Sequence, residues 1–216
     1  MKKTISIFLY YLLIWPLISV AGDDYVYQAN GSIYFYSKFG NFTARLTKSS
    51  HDSKPVLSLN ARWVAFLRKA RFSIPKTCHD YYDPNNKYGK EIWVYDLKNR
   101  KERLLVANDF VCGDHLTKTI IDPADLKFSP DSKTLYFETS AWDTSGAIHS
   151  VKINGDQLRF VTDGNEYHVV MNGKYKGDLI VNQHRYRFKG DTPLGSYDWD
   201  WLYTPAGKQI KLYKKE

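Results

Sequence analysis

The feature that most constrains the fold is a recurrence. Three segments repeat one plan, an apolar strand, a tight polar turn and a second apolar strand, at 52–66, 123–137 and, in more degraded form, 167–181. The middle copy reads Pro-Ala-Asp-Leu-Lys-Phe-Ser-Pro-Asp-Ser-Lys-Thr-Leu-Tyr-Phe. Its turn has a mechanism. Pro130 presets φ, while Asp131 and Ser132 can bond their own backbone. A unit of this size cannot bury its apolar face alone, so such units must stack on one another.

A second kind of hairpin follows each of the first two units, at 91–105 and 147–162. In the latter, Asn154-Gly155 is a strong signal for a two-residue hairpin turn. Related segments lie at 32–47 and 198–213. Many of these runs alternate apolar and polar residues, as half-buried strands do. The chain carries 17 Tyr, 11 Phe and 6 Trp in 216 residues. Aromatic side chains suit pleated, half-buried surfaces, so composition and periodicity agree on an all-β fold.

In order, Arg45-Leu46-Thr47, the Pro-x-x-Ser of 55–58, a polar turn, Val64-Ala65-Phe66 and Ile92-Trp93-Val94-Tyr95-Asp96-Leu97 resemble the TolB-like β-propeller repeat. Phe160-Val161-Thr162 resembles the repeat's Leu-Thr end, and Ser129-Pro130-Asp131-Ser132-Lys133 its Ser-Pro-Asp-Gly-Lys turn. Leu59-Asn60-Ala61 departs from that pattern, and 173–177 departs further. The resemblance implies a small β-propeller of about four blades, one partial, or a truncated TolB-like propeller, without the separate N-terminal domain of TolB. Blades are expected at 53–106, 123–162 and 166–213, with a two-stranded piece at 31–47. Those N-terminal strands are placed in the gap beside the last blade, closing the ring, with an open array as the alternative.

The interval from Ser58 to Ser129 is longer than that from Ser129 to Gly173, which is near the ~40–45 residues of a propeller blade. The excess falls in 68–90 and 107–121. In a propeller blade those two connections emerge at the same end. Each holds one of the two cysteines, Cys78 and Cys112. A disulfide between them is expected in an oxidising compartment.

Such a compartment is implied by the N-terminus. Lys2 and Lys3 precede an apolar run from Ile5 to Val20, and Ser19-Val20-Ala21 supplies the small residues of a cleavage site before Gly22. Residues 1–21 are read as a signal peptide, and 22–216 as one periplasmic domain with no stable membrane insertion. The net charge is +8, and the chain stays basic when the two leader lysines are removed. That balance favours an acidic protein partner or an anionic surface. Its lysines and arginines are spread along the chain, which argues against nucleic acid.

No nucleophile elbow, phosphate-cradling glycine loop or paired zinc motif is present in the sequence. Six scattered histidines form no ligand pattern, and the oxygen-rich 80–89 segment fails the calcium-loop spacing. No cofactor and no enzymatic activity are expected. Function is expected on the loops of one face, at His79, Tyr81, Tyr82, Trp142, Arg185, Tyr186 and Arg187, since Tyr, Trp and Arg dominate interface hot spots. The leading expectation is a protein-binding propeller, such as an immunity or inhibitor protein or a scaffold of an envelope complex. A small-ligand or glycan-binding module, and an enzyme with an unrecognised site, are the alternatives.

Overall fold

A computed structural model describes residues 24–79, 88–111 and 115–213. The described residues form four antiparallel sheets of consecutive strands. The first holds β1 (Tyr25–Ala29), β2 (Ser32–Ser37) and β3 (Phe42–Arg45). The second holds β4 (Asp52–Leu57), β5 (Trp63–Arg71), β6 (Tyr88–Asp96) and β7 (Lys101–Val106). The third comprises β8 (Ala124–Phe128), β9 (Thr134–Ser140), β10 (Gly146–Lys152) and β11 (Arg159–Gly164). The fourth comprises β12 (Glu166–Val169), β13 (Leu179–Lys189), β14 (Thr192–Tyr203) and β15 (Gln209–Leu212). No helix among the described residues is long and apolar enough to cross a membrane.

The polar turns explain the repeat. Ser58 Oγ donates to Asn60 Oδ1 at 2.7 Å and accepts from the Trp63 amide at 2.9 Å. Ser129 Oγ does the same with Asp131 Oδ1 at 2.6 Å and the Thr134 amide at 3.0 Å. Asn60 therefore replaces Asp131 without loss of the acceptor, and the departure at Leu59-Asn60-Ala61 leaves the turn intact. The two turns also meet, through the Asn60 amide donating to Ser132 Oγ at 3.2 Å. The third turn is different. It lacks the serine hydroxyl and closes by backbone bonds, Val170 N to Asp178 O at 2.9 Å and Gly177 N to Val170 O at 2.8 Å. Asn154-Gly155 lies in a turn, but β10 and β11 are joined by residues 153–158, so the expected two-residue hairpin is replaced by a longer connection.

The sheets are stacked in series, each junction with its own core. Ile33, Val64 and Phe66 join the first sheet to the second. Leu67, Ile92, Val94, Leu126, Leu135 and Phe137 join the second to the third. Ile148, Val161, Tyr167, Leu179 and Val181 join the third to the fourth. Such apolar burial is worth roughly 1.5–3 kcal/mol for each fully buried large side chain. The first strands adjoin one another, β4 with β8 and β8 with β12, as inner strands of a propeller do.

Two expectations about the N-terminal strands are corrected. They number three, not two, because β1 pairs with β2 from Tyr25↔Tyr36 to Ala29↔Ser32. They also form their own sheet against the second one instead of filling a gap beside the last. Among the described residues no strand pair and no core cluster joins the first sheet to the fourth, so the array is open. The outer face of the first sheet carries a tyrosine ladder, with Tyr25 and Tyr36 rings 4.9 Å apart and Tyr27 stacked on Tyr34 at 5.3 Å.

A buried ion pair ties β4 to β5. Arg68 donates to both oxygens of Asp52, at 2.6 and 3.0 Å, and to Glu102 at 3.1 and 3.0 Å. Its guanidinium also lies over the Trp93 ring at 4.2 Å. Burial pushes the Asp52 carboxyl up, but the bonds from Arg68, Ser49 and Thr47 outweigh it and hold it below its ordinary value.

Candidate binding site on a hairpin arm

Antiparallel order puts the β5–β6, β9–β10 and β13–β14 connections at one end of the stack, with the sheet-to-sheet crossings. The two long insertions meet there. Phe72, after β5, lies 4.9 Å from Phe110, after β7. Phe72 fits because position 89 is glycine: a Cβ there would come within 2.3 Å of its ring. Cys78 is fully buried at the end of a single 3-10 turn, Lys76–Cys78. Cys112 lies outside the described residues, and no disulfide joins two of the described residues.

Of the expected site residues, the structure describes His79, Trp142, Arg185, Tyr186 and Arg187. His79 is exposed just after that 3-10 turn. Tyr81 and Tyr82 lie outside the described residues, as does most of the oxygen-rich 80–89 segment. Trp142 is 41% exposed and meets Phe160 edge-on at 6.4 Å. Phe160 alternates with Val161, whose side chain faces the fourth sheet, so Trp142 sits on the opposite side of the third sheet from β13. Arg185, Tyr186 and Arg187 were expected on a loop. They are strand residues instead.

β13 and β14 are eleven and twelve residues long and pair along their whole length. β12 pairs only with Leu179–Asn182, and β15 only with Trp201–Tyr203. The rest of the hairpin therefore runs past its neighbours as a two-stranded arm. A lone ribbon is marginal in water, so side chains must hold it. On one face, Arg185 lies over Trp201 at 4.1 Å, and Arg187 lies over Tyr197 at 4.9 Å and Trp199 at 5.4 Å. Tyr197 and Trp199 are 4.5 Å apart. On the other face, His184 Nδ1 is 2.9 Å from Asp198, and its ring meets Tyr186 at 5.0 Å. Opposite Arg187 the ladder slips by one residue, where Gly195 takes φ +114°, a conformation other residues avoid.

The root of the arm is fixed by Gln183, 1% exposed. Its amide nitrogen donates to Thr162 Oγ1 at 3.1 Å and the Asp163 carbonyl at 2.8 Å. Its oxygen accepts from Tyr203 at 2.7 Å and from Arg185 Nε at 3.0 Å. Arg185 also donates to Gln209 at 2.6 Å. Arg185 is thus committed to the root, while Arg187 and the 40%-exposed Trp199 face solvent. Tyr186, Phe188 and Leu194 are 56%, 61% and 61% exposed. Trp199, Tyr197, Phe188 and Leu194 were not singled out from sequence. The signal that finds them is the aromatic alternation Tyr-x-Phe and Tyr-x-Trp-x-Trp on either side of Gly190.

The displaced titratable groups lie elsewhere. Glu138, at the end of β9, is pushed up to about 7 by burial and by Asp125. His149 is 1% exposed, bonded to Thr139 Oγ1 at 3.1 Å and stacked on Phe137, and burial pushes it down to about 4. Among the described residues no group of His, Cys, Asp and Glu could hold a metal ion.

No family model and no curated protein matches the chain. Solved structures do. A dipeptidyl peptidase 4 of Porphyromonas gingivalis superposes with a TM-score of 0.59 at 10% identity, over 90% of this chain and 31% of its own. A puromycin hydrolase gives 0.50 at 14% identity, over 89% and 29%. TolB from Acinetobacter baumannii gives 0.49 at 14% identity, over 88% and 39%. The chain thus spans under two fifths of each. At these identities the likeness concerns the fold alone, and together with four serial antiparallel sheets it makes this chain an all-β, propeller-type structure.

Proposed function

We propose that the chain is an exported propeller-type module that binds another protein through the Arg187–Tyr197–Trp199 face of its hairpin arm. The observation that carries this reading is the arm itself: two strands continued past their sheet, with arginine, tyrosine and tryptophan stacked on one exposed face. These residue types supply most interface energy, and stacking fixes their rotamers before a partner arrives, which lowers the entropy lost on binding. The arginines and the basic chain favour a partner with carboxylates at the contact. The basic, apolar and small-residue order of 1–21 supports export.

The test is affinity capture from envelope extract with the wild-type chain and an Arg187→Ala/Tyr197→Ala/Trp199→Ala variant. A dominant protein bound by the first and lost by the second, at unchanged melting temperature, supports the reading. A protein retained equally by both, or none captured, rejects it.

A further inference from the structure

Where the second sheet meets the third, at the end of the stack that carries the two insertions, strand register places like charges face to face. Lys69 on β5 lies directly opposite Lys90 on β6. One step along the same face, Arg71 lies opposite Tyr88. Like charges opposed across a ladder are destabilising, and the neighbouring pair on the other face, Arg68 with Glu91, is of opposite sign. Among the described residues neither Lys69, Arg71 nor Lys90 forms an ion pair, whereas Arg68 is paired to Asp52 and Glu102.

Lys69 and Lys90 border a cleft of about 570 Å³, the size of a small-ligand site. Ser50, His51 and Ser53 close it from the β3–β4 crossing and β4, and Tyr88 forms one wall, with Lys69 over its ring at 4.2 Å. Among the described lining residues Asp122 is the only carboxylate. The described lining residues thus offer two ammonium groups, an imidazole and three hydroxyls, an excess of donors over acceptors. Lysine binds phosphate as a point charge, and hydroxyls suit the several acceptor oxygens of a tetrahedral anion.

We infer that this cleft binds a phosphate group, held between Lys69 and Lys90 with Ser50 and Ser53 as further donors. The opposed lysines are then matched by the charge of the ligand. The site is separate from the arm and stands whether or not the arm binds a protein.

The test is calorimetric titration of the full chain with pyrophosphate at 150 mM chloride, with sedimentation against phosphatidylglycerol vesicles, using phosphatidylcholine vesicles as control. Three variants accompany it: Lys69→Ala/Lys90→Ala, Lys90→Glu, and Arg187→Ala/Trp199→Ala. Saturable pyrophosphate binding, weakened at least tenfold in the double lysine variant and unchanged in the arm variant, is expected. Lys90→Glu is expected to abolish binding while raising the melting temperature, because it gives Lys69 an opposite charge across the ladder. That variant separates a lost site from a lost fold. Binding confined to phosphatidylglycerol vesicles and lost in the lysine variants assigns the phosphate to a lipid headgroup. Absence of saturable binding in both arms, or equal affinity in wild type and the double lysine variant, overturns the inference.

Discussion

Replacing Arg68 with methionine is expected to strand a charge. The Asp52 side chain is fully shielded from solvent and Arg68 is 13% exposed, so their two bonds lie in a low-dielectric setting. Methionine keeps an unbranched apolar stem and removes the guanidinium, together with its contact over the Trp93 ring. Breaking one side of a buried pair costs about 3–5 kcal/mol, because the remaining ion loses its solvation and its partner together. The lost contact to Glu102, which is 36% exposed, adds about 0–1 kcal/mol. At about 2–4 °C per kcal/mol for a chain of this size, the summed loss of about 3–6 kcal/mol should lower the melting temperature by about 6–24 °C. The double variant Asp52→Leu/Arg68→Met removes both charges and should recover to within about 1–2 kcal/mol of wild type. The pH dependence carries the same sign. Asp52 is held below its ordinary value, so the pair's contribution is present above about pH 4 and is lost as pH falls through the folded value. The gap between wild type and Arg68→Met should therefore be widest at neutral pH and close on acidification. Urea unfolding of the four proteins of this cycle at pH 7 and well below pH 4 measures both effects. A double variant as unstable as the sum of its singles would refute the stranded-charge reasoning.

Two further outcomes follow from other groups. Glu138, raised to about 7, stabilises the fold below about pH 4.5 and loses that contribution as pH rises to 7. His149, lowered to about 4, stabilises it above about pH 6.5 and loses that contribution as pH falls to 4. The two slopes oppose each other between pH 4.5 and 6.5. Thermal scans should show the melting temperature rising with pH across this window in Glu138→Gln and falling in His149→Leu; parallel curves would contradict both assignments. For the proposed Cys78–Cys112 link, non-reducing peptide mapping should recover one cross-linked peptide. Replacing both cysteines with serine should cost about 3–4 kcal/mol in urea unfolding. Two alkylatable thiols in the oxidised protein would refute the link.

The blades were legible because their turns are local. Ser58 with Asn60, and Ser129 with Asp131, bond within five residues, so the pattern survives in the sequence and the three full sheets fall at the expected positions. β1 was missed because Tyr25–Ala29 has one weak apolar face and gains its order only by pairing with β2. The arm has the sequence character of a loop for a related reason. From Gln183 to Lys189 both faces are polar or aromatic, and Pro193 interrupts the return strand, which only an edge or bulged position tolerates. Its strands are specified by cross-strand stacking between residues far apart in sequence, such as Arg187 with Tyr197. Whether the array closes depends on the accumulated rotation from sheet to sheet, and no short segment encodes that sum.

The serial arrangement bears on how the chain reaches its native state. Every sheet consists of strands consecutive in sequence, and each junction buries side chains from neighbours along the chain. Such a structure has no final step in which distant termini must find each other. Its loops close over short separations, so the entropic barrier grows with the length of one blade and not with the length of the chain. Ordered growth from one end suits a polypeptide that emerges through a narrow pore, since each blade can find its predecessor before the next is delivered. The same logic assigns the earliest hydrogen exchange to the outermost sheets, each supported on a single side, and the slowest to the strands around Leu67 and Phe137.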